Sequence, residues 1–517
     1  MSEKKTLSKN DLDNAPLSTV PTCQEGVAHE VRIGYDQQLR PNRSILAVIG
    51  MNLAIAAVPY GIGGPLMSAI YGGGQLSLFV GLLVVLTLDG CVALSLAELA
   101  SRYPTSSGLY YWTHQMVDST SSKRFLSFTT GWCWLIGNWT ITLSVNFGFA
   151  YLIAATVAIF KPGWTAASWQ LLVIFFAVCV LTFFICSSGD RFLPYVDMFA
   201  GVWNFLTIVV ILISLLATAK DGRHTAAEGF GHYDPDLSGW GRGFTFFIGL
   251  LPSAYAFSAI GMITSMAEEC HVPEIELPRA LSLTIPIGGL AALAFVLPVI
   301  FTLPPLEQIL TAPYGQALPF ILASVTGSRV GSLILMIMVL IVVLLCSISI
   351  TTAASRSTWA FSRDKAIPLS NLWRQTPYNQ PLYALALVTV IQMLLGIISV
   401  GSTSAFTAFV SVGVIALSLA YAIPISVSLY KGRKYVAQAR WNIGHLFGSL
   451  ANFVAVCWIL FKLILFSMPQ TLPVTEVSMN YASVVLFGLL SIALLWYAVR
   501  GRKEYRGPPE AVITVVD

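Results

Sequence analysis

The sequence predicts an all-α polytopic membrane protein with 12 transmembrane helices, and three observations carry that prediction. Hydrophobic residues make up 56% of the 517 positions and charged residues only 10%, against roughly a quarter charged in an average soluble domain. Apolar runs of about 18 residues or more, the length that crosses a bilayer, recur about twelve times. Lysine and arginine are divided unevenly between the connections.

The elements follow in order. Residues 1–43 are polar and read as a cytosolic disordered tail, without the basic and apolar regions of a cleaved signal. Segment 1, an uncleaved signal in its own right, runs 45–71. Tyr71-Gly72-Gly73-Gly74-Gln75 is a polar hinge into segment 2, 76–100. Segment 3 covers 128–158, long enough to tilt. Segments 4 and 5 cover 169–187 and 193–217, and a polar, Gly-rich loop fills 218–242. Segments 6 and 7 cover 243–267 and 281–303, followed by a loop over 304–327 with a short interfacial helix. Segment 8 covers 329–359, segments 9 and 10 cover 382–400 and 404–430, and segments 11 and 12 cover 445–467 and 481–499. A transmembrane domain over 44–500 and a cytosolic C-terminal tail over 501–517 result.

Orientation comes from the basic residues. With the N-terminus inside, only Lys161, Lys220, Arg223, Arg242 and Arg329 fall outside and Lys462 falls within segment 11, which leaves 23 of the 29 inside. An odd number of segments would scramble that division. Both termini are therefore expected in the cytosol, with the plasma membrane as the expected location. Net charge of +4 is too small and dispersed for a nucleic-acid partner. The eight cysteines are scattered, without a CxxC pair or Cys/His cluster, so neither a disulfide framework, a metal site nor a cofactor is expected. No Ser/His or His/Asp/Glu constellation lies near an interface, which argues against an enzyme.

Two segments interrupt themselves. Segment 1 contains Val58-Pro59-Tyr60-Gly61-Ile62-Gly63-Gly64-Pro65, and segment 6 contains Pro252 followed by Ser253-Ala254-Tyr255-Ala256-Phe257-Ser258-Ala259-Ile260-Gly261. Broken helix at membrane depth is tolerated only where it is buried in protein or lines a cavity. Segments 1 and 6 open two successive five-segment sets, and breaks at corresponding positions point to a transporter binding site. Each half-helix exposes N–H groups at one end and carbonyls at the other, so carboxylates and cations can both be held there. The candidate substrate-binding residues are Val58, Tyr60, Gly61, Gly63, Tyr255, Phe257, Ala259 and Gly261. The aromatic rings could hold an ammonium group by cation–π attraction. Ordinary helix packing is the competing reading for each.

Charges within the segments are expensive unless paired or facing water. Asp89 in segment 2 and Asp197 in segment 5 are candidates for proton coupling, or for structural pairing. Glu98 is expected to snorkel or pair at the end of segment 2, and Lys462 to snorkel outward. Ser347, Ser349, Thr351 and Thr352 of segment 8 are expected to bond their own helix backbone, with a sodium site as the alternative. Glu268 and Glu269 close segment 6, where acids oppose the helix dipole and need partners. Arginines near Arg102 or Arg363 could form with them a latch that differs between inward and outward states.

Several motifs resemble the fungal amino acid/choline transporter branch of the amino acid–polyamine–organocation permeases. They are the run from Ala93 to Trp112, Thr130-Gly131-Trp132 with Gly137-Asn138-Trp139, and Ala267-Glu268-Glu269 with Pro273, Glu274 and Pro278-Arg279-Ala280. Arg356 to Asp364, Asn480 to Val485 and Gly501 to Pro508 complete the set. The resemblance implies an inverted five-plus-five repeat with discontinuous helices 1 and 6. It implies a site on residues 56–63 and 255–261, completed by segments 3 and 8. It also implies transport of choline, 4-aminobutyrate, other amino acids, polyamines or thiamine, generally by proton-coupled or gradient-driven uptake. The chain departs from the pattern at both breaks, with Val58-Pro59-Tyr60 in segment 1 and Ala259-Ile260-Gly261, lacking an acid, in segment 6.

The expected function is secondary active transport of a small amine or amino acid by alternating access, with a coupling proton and membrane lipid as partners. The alternatives are transport of choline, another quaternary amine or thiamine, export of a specialised metabolite, and a nutrient sensor that does not transport.

Overall fold

The computed structural model describes residues 34–161, 163–189, 191–219, 222–401, 405–476 and 478–511. Lys220 lies outside the described residues, as do Lys4, Lys5, Lys9 and Arg32 of the basic residues counted inside, Cys23 of the eight cysteines, most of the 1–43 tail and the end of the 501–517 tail. Among the described residues ten helical runs are long and apolar enough to cross a membrane, and shorter apolar helices cover Ile45–Gly61, Ala317–Thr326 and Leu382–Ile398. Among the described residues one isolated bridge, Arg43 to Cys270, is the sole β-pairing. The protein is all-α and integral to the membrane.

Apolar character does not say which helices face lipid; burial does. Of the apolar window in Arg242–Glu269, 89% is buried, and of that in Thr407–Tyr430, 83%, against 22% for Ala482–Glu504. Segments 6 and 10 are therefore central. Segment 12 turns Val484, Phe487, Ile492 and Leu495 outward, as a lipid-facing surface requires.

Segment 1 is divided into Ile45–Ala56, Val58–Gly61 and Leu66–Tyr71. Pro59 supplies no N–H to the carbonyl four residues back, that of Ile55. Ala57 takes a left-handed conformation, φ 40°, which few residues other than glycine adopt. Segment 6 is divided into Arg242–Ile248, Leu251–Ala256 and a 3₁₀ stretch, Ile260–Glu269. Pro252 falls in the first turn of its helix, where the missing N–H costs nothing. The two divided segments meet backbone to backbone. A Cβ on Gly72 would stand 2.3 Å from the Gly249 nitrogen, and one on Gly61 would stand 2.9 Å from the Ala256 Cβ. Glycine at these two positions permits the approach.

Several boundaries differ from expectation. Segment 3 starts at Thr120, segment 7 at Pro273, and segment 8 runs on to Arg363. A buried helix, Gly108–Met116, occupies the connection before segment 3. Its Leu109-Tyr110-Tyr111-Trp112 run is too short to register as a span. Residues 34–43, placed in the tail, are seated on the protein: Tyr35, Leu39 and Arg43 are buried. The last described residues are also tied down. Tyr505 Oη bonds Ser127 Oγ at 2.7 Å, and Gln115 donates to the Pro509 carbonyl at 2.8 Å.

Lys462 corrects the snorkelling expectation. It is 1% exposed, and its ammonium donates to Asp89 Oδ1 at 2.7 Å, beside the Trp458 indole N–H at 2.9 Å. A carboxylate on segment 2 inside the membrane is too costly to leave alone, and segment 11 supplies its cation. Replacing either partner strands the other, so Asp89→Leu or Lys462→Met should each cost about 3–5 kcal/mol. The double replacement should recover most of that loss in thermal unfolding of the detergent-purified protein. Additive losses would show the two residues to be uncoupled.

Candidate functional site

The two breaks enclose a small cavity. Its wall comes from Ile55, Ala56, Tyr60 and Gly61 of segment 1, Tyr255, Ala256, Ser258 and Ala259 of segment 6, Ile141 and Val145 of segment 3, and Cys346 and Ile350 of segment 8. Its volume is about 10 Å³, about the least that holds one water. Ser144 fastens the aromatic side. Tyr255 Oη bonds its hydroxyl at 2.9 Å, and Tyr60 Oη donates to its carbonyl at 3.5 Å. On the other side of the two tyrosines lies a second cavity of about 470 Å³. It is lined by Tyr60 and Tyr255 and, further out, by Tyr71, Tyr314, Phe466 and Asn480.

Polar side chains take over the bonds that the breaks leave open. The Cys346 thiol donates to the Ile55 carbonyl, the acceptor orphaned by Pro59, at 3.4 Å. Asn204 adds a second bond, at 3.2 Å, to the Leu53 carbonyl, which already accepts the Ala57 N–H at 2.9 Å. In segment 6, Tyr421 Oη donates to the Ser258 carbonyl at 3.1 Å and accepts from the Gly261 N–H at 3.1 Å. One phenol from segment 10 thus bridges the interruption.

At the end of the bundle that carries residues 34–43 and 501–511, the terminal end, buried charges pair. Arg43 is fully buried. Its guanidinium bonds Asp197 Oδ2 at 2.5 Å and Glu269 Oε2 at 2.7 Å. Arg356 bonds the other Glu269 oxygen at 2.7 Å, and Ser349 donates to the other Asp197 oxygen at 2.6 Å. Two cations and two carboxylates balance. The backbone N–H groups of Asn42 and Arg43 also donate to the Glu269 carbonyl, at 2.9 and 2.8 Å. Beside this cluster Arg363 bonds Glu268 at 2.8 Å and lies over the Tyr35 ring, 3.7 Å from its centroid.

Comparison with known proteins matches residues 44–490 to the amino acid permease family model. The chain belongs to the amino acid permease family. It is 29% identical to an amino-acid permease of Arabidopsis thaliana over 96% of this chain and 99% of that one. It is 30% identical to a homologue of that permease from Oryza sativa subsp. japonica, over 93% and 95%. It is 28% identical to the choline transporter of Saccharomyces cerevisiae, over 92% and 84%. The chain is thus a membrane transporter of small amine or amino-acid-like solutes rather than an enzyme.

Within this permease the candidate residues separate. Tyr60, Gly61, Tyr255 and Ala259 line the central cavity. Val58, Gly63, Phe257 and Gly261 are buried outside its wall: Gly63 packs on Leu318, Phe257 on Gly288 and Gly261 on the Tyr421 ring. Asp197, Glu268 and Glu269 join the charge pairs at the terminal end, whereas Asp89 belongs to the separate pair with Lys462. Glu98 is buried and pairs with Arg433 at 2.8 Å. Of the two arginines suggested for the latch, Arg363 engages Glu268, while Arg102 bonds Gln438 instead. The segment 8 hydroxyls correct their expectation. Ser347 bonds Thr182 at 2.9 Å and also Asn146, and Ser349 reaches Asp197. These two and Thr352, which meets the Cys186 thiol at 3.5 Å, join helices rather than bonding their own backbone, whereas Thr351 Oγ1 is buried with no hydrogen-bond partner among the described residues. Ser144, Cys346 and Tyr421 were not singled out from sequence, since a lone polar residue in an apolar run does not announce which neighbour it meets.

Among the described residues the cavity wall holds no carboxylate. A cation there would meet two phenol rings and the carbonyl end of the Ile45–Ala56 helix. Tyr421→Phe should leave the Ser258 carbonyl and the Gly261 N–H without their shared partner, at a cost of about 1–3 kcal/mol. The loss should appear as a lower apparent melting temperature in detergent. An unchanged value would show that the phenol does not brace the break.

Proposed function

We propose that the protein takes up a small amine or amino acid by proton-coupled alternating access, in a twelve-span, inverted five-plus-five fold with discontinuous segments 1 and 6. The single observation that carries this reading is the central cavity between the two breaks. Tyr60 and Tyr255 line both it and the larger outer cavity, while buried ion pairs join the segments at the terminal end. This is the arrangement of a carrier shut on one side and accessible from the other. The terminal end is read as cytosolic and the membrane as the plasma membrane, because that end gathers the basic loops. Val58, Gly63, Phe257 and Gly261 hold the breaks in shape, and Tyr60, Gly61, Tyr255 and Ala259 contact the substrate.

Asp197, Glu269 and Glu268 form the gate. Arg43 is shared between two carboxylates, so protonation of Asp197 or Glu269 removes half of its anionic partners and weakens the closure. A proton can then be coupled to opening on the cytosolic side. The carboxylate-free wall favours a second substrate reading, choline or another quaternary amine held by rings and carbonyls alone, and one similar protein is a choline transporter.

Labelled choline, 4-aminobutyrate, thiamine and amino acids should be offered to a permease-deficient fungal host at two external pH values. At least one should be taken up, faster at the lower pH. Uptake of none would refute the transport reading, and pH-insensitive uptake would remove the proton. Tyr60→Ala and Tyr255→Ala should each weaken the apparent affinity by about tenfold, the worth of a desolvated cation–π contact, with surface expression retained. Unaltered affinity in both would move the substrate elsewhere.

A further inference from the structure

A cavity of about 1010 Å³ lies on the terminal face, between the turn after segment 8 and the end of segment 12, remote from the two breaks. Its wall is basic. Arg363, Lys365, Arg500, Lys503 and Arg506 face two acids, Asp364 and Glu504. Arg363 is engaged by Glu268 and Arg500 by Glu504 at 2.5 Å. Asp364 accepts from the Tyr35 and Tyr110 hydroxyls at 2.8 and 2.6 Å. Lys365, Lys503 and Arg506 are exposed and have no acidic partner among the described residues. Two wall residues also carry buried donors with no partner among the described residues, the Trp496 indole Nε1 and the Arg363 Nε. An unsatisfied buried donor costs free energy that an oxygen-rich ligand would return.

The rim says where such a ligand comes from. Leu495 and Val499, the last apolar residues before Arg500, are 66% and 77% exposed, and Leu369 on the opposite wall is 73% exposed. Cations directly beyond a lipid-facing apolar surface sit at headgroup depth, where basic pockets on the cytoplasmic side bind anionic lipids. We propose that this cavity binds the phosphorylated headgroup of an anionic phospholipid, with its acyl chains along Leu495 and Val499. The transport reading above enters only in naming the leaflet, so binding to the purified protein tests this site independently of transport.

A fluorescent phosphatidylinositol 4-phosphate, titrated against the full chain in detergent, should bind saturably. Lys365→Asn with Lys503→Gln should weaken it at least tenfold, from about a tenfold or smaller effect per cation. Asparagine suits the positive φ of position 365. Two other exposed cations outside the cavity provide the control: Arg279→Gln with Lys434→Gln should leave the affinity within twofold. Lys365→Arg with Lys503→Arg should retain binding, which separates lost charge from lost fold. Equal affinity in the Asn/Gln and control pairs would overturn the site. So would displacement by phosphatidylcholine as effective as by unlabelled phosphatidylinositol 4-phosphate. Displacement by inorganic phosphate at matching concentration would overturn the lipid source and leave a free-anion site.

Discussion

Arg43 stands two residues before segment 1 begins, and its buried guanidinium is shared between a carboxylate of segment 5 and one of segment 6. Arg356 and Ser349 of segment 8 bind the remaining oxygens of the same two acids. Four segments thereby converge on one charge-balanced cluster, withdrawn from water. Such a cluster adds little net stability over apolar packing, but it is costly to disrupt piecemeal, because each lost partner leaves a buried charge alone. That asymmetry suits a gate, which must hold firmly in one state and let go as a unit.

The breaks and the closure depend on each other. Pro59 and Ala57 end the first half of segment 1, so under the proposed alternating access the half attached to Arg43 would tilt without carrying the outer half with it. Tyr421 plays the corresponding part for segment 6, since a hydroxyl that both donates and accepts braces an interruption without making it rigid. The central cavity is then the place where two hinged half-helices meet two fixed segments. On the proposed function a ligand there needs room well beyond about 10 Å³, so the tilting proposed to open the terminal end would also have to enlarge the site.

The architecture was legible wherever it depended on local pattern. Apolar length marked the segments, Pro59 and Pro252 with their glycines marked the divided ones, and the lysine and arginine bias set one end apart. What depended on distant partners was not legible. Asp89 and Lys462 are 373 positions apart, and nothing in either neighbourhood names the other. Tyr255 and Phe257 lie two positions apart in one short stretch, yet only the first reaches the cavity; Phe257, just past the end of the Leu251–Ala256 helix, packs on Gly288 instead. The Gly108–Met116 helix escaped notice because it is buried by its neighbours rather than by the length of its own apolar run. The amino acid permease match supports the family, while the substrate rests on a wall whose phenols and carbonyls suit more than one amine.

Cys346 offers the most direct measurement of the gate, because its thiol belongs to the cavity wall and is 1% exposed. In a protein with the other cysteines replaced by serine, its reaction with a membrane-impermeant thiol reagent supplied to the terminal face should be slow. Arg43→Gln removes the shared cation and should speed that reaction at least tenfold while the protein remains folded. A folded Arg43→Gln protein in which Cys346 stays as protected as before would contradict the assignment of the Arg43 cluster as the closure over the site.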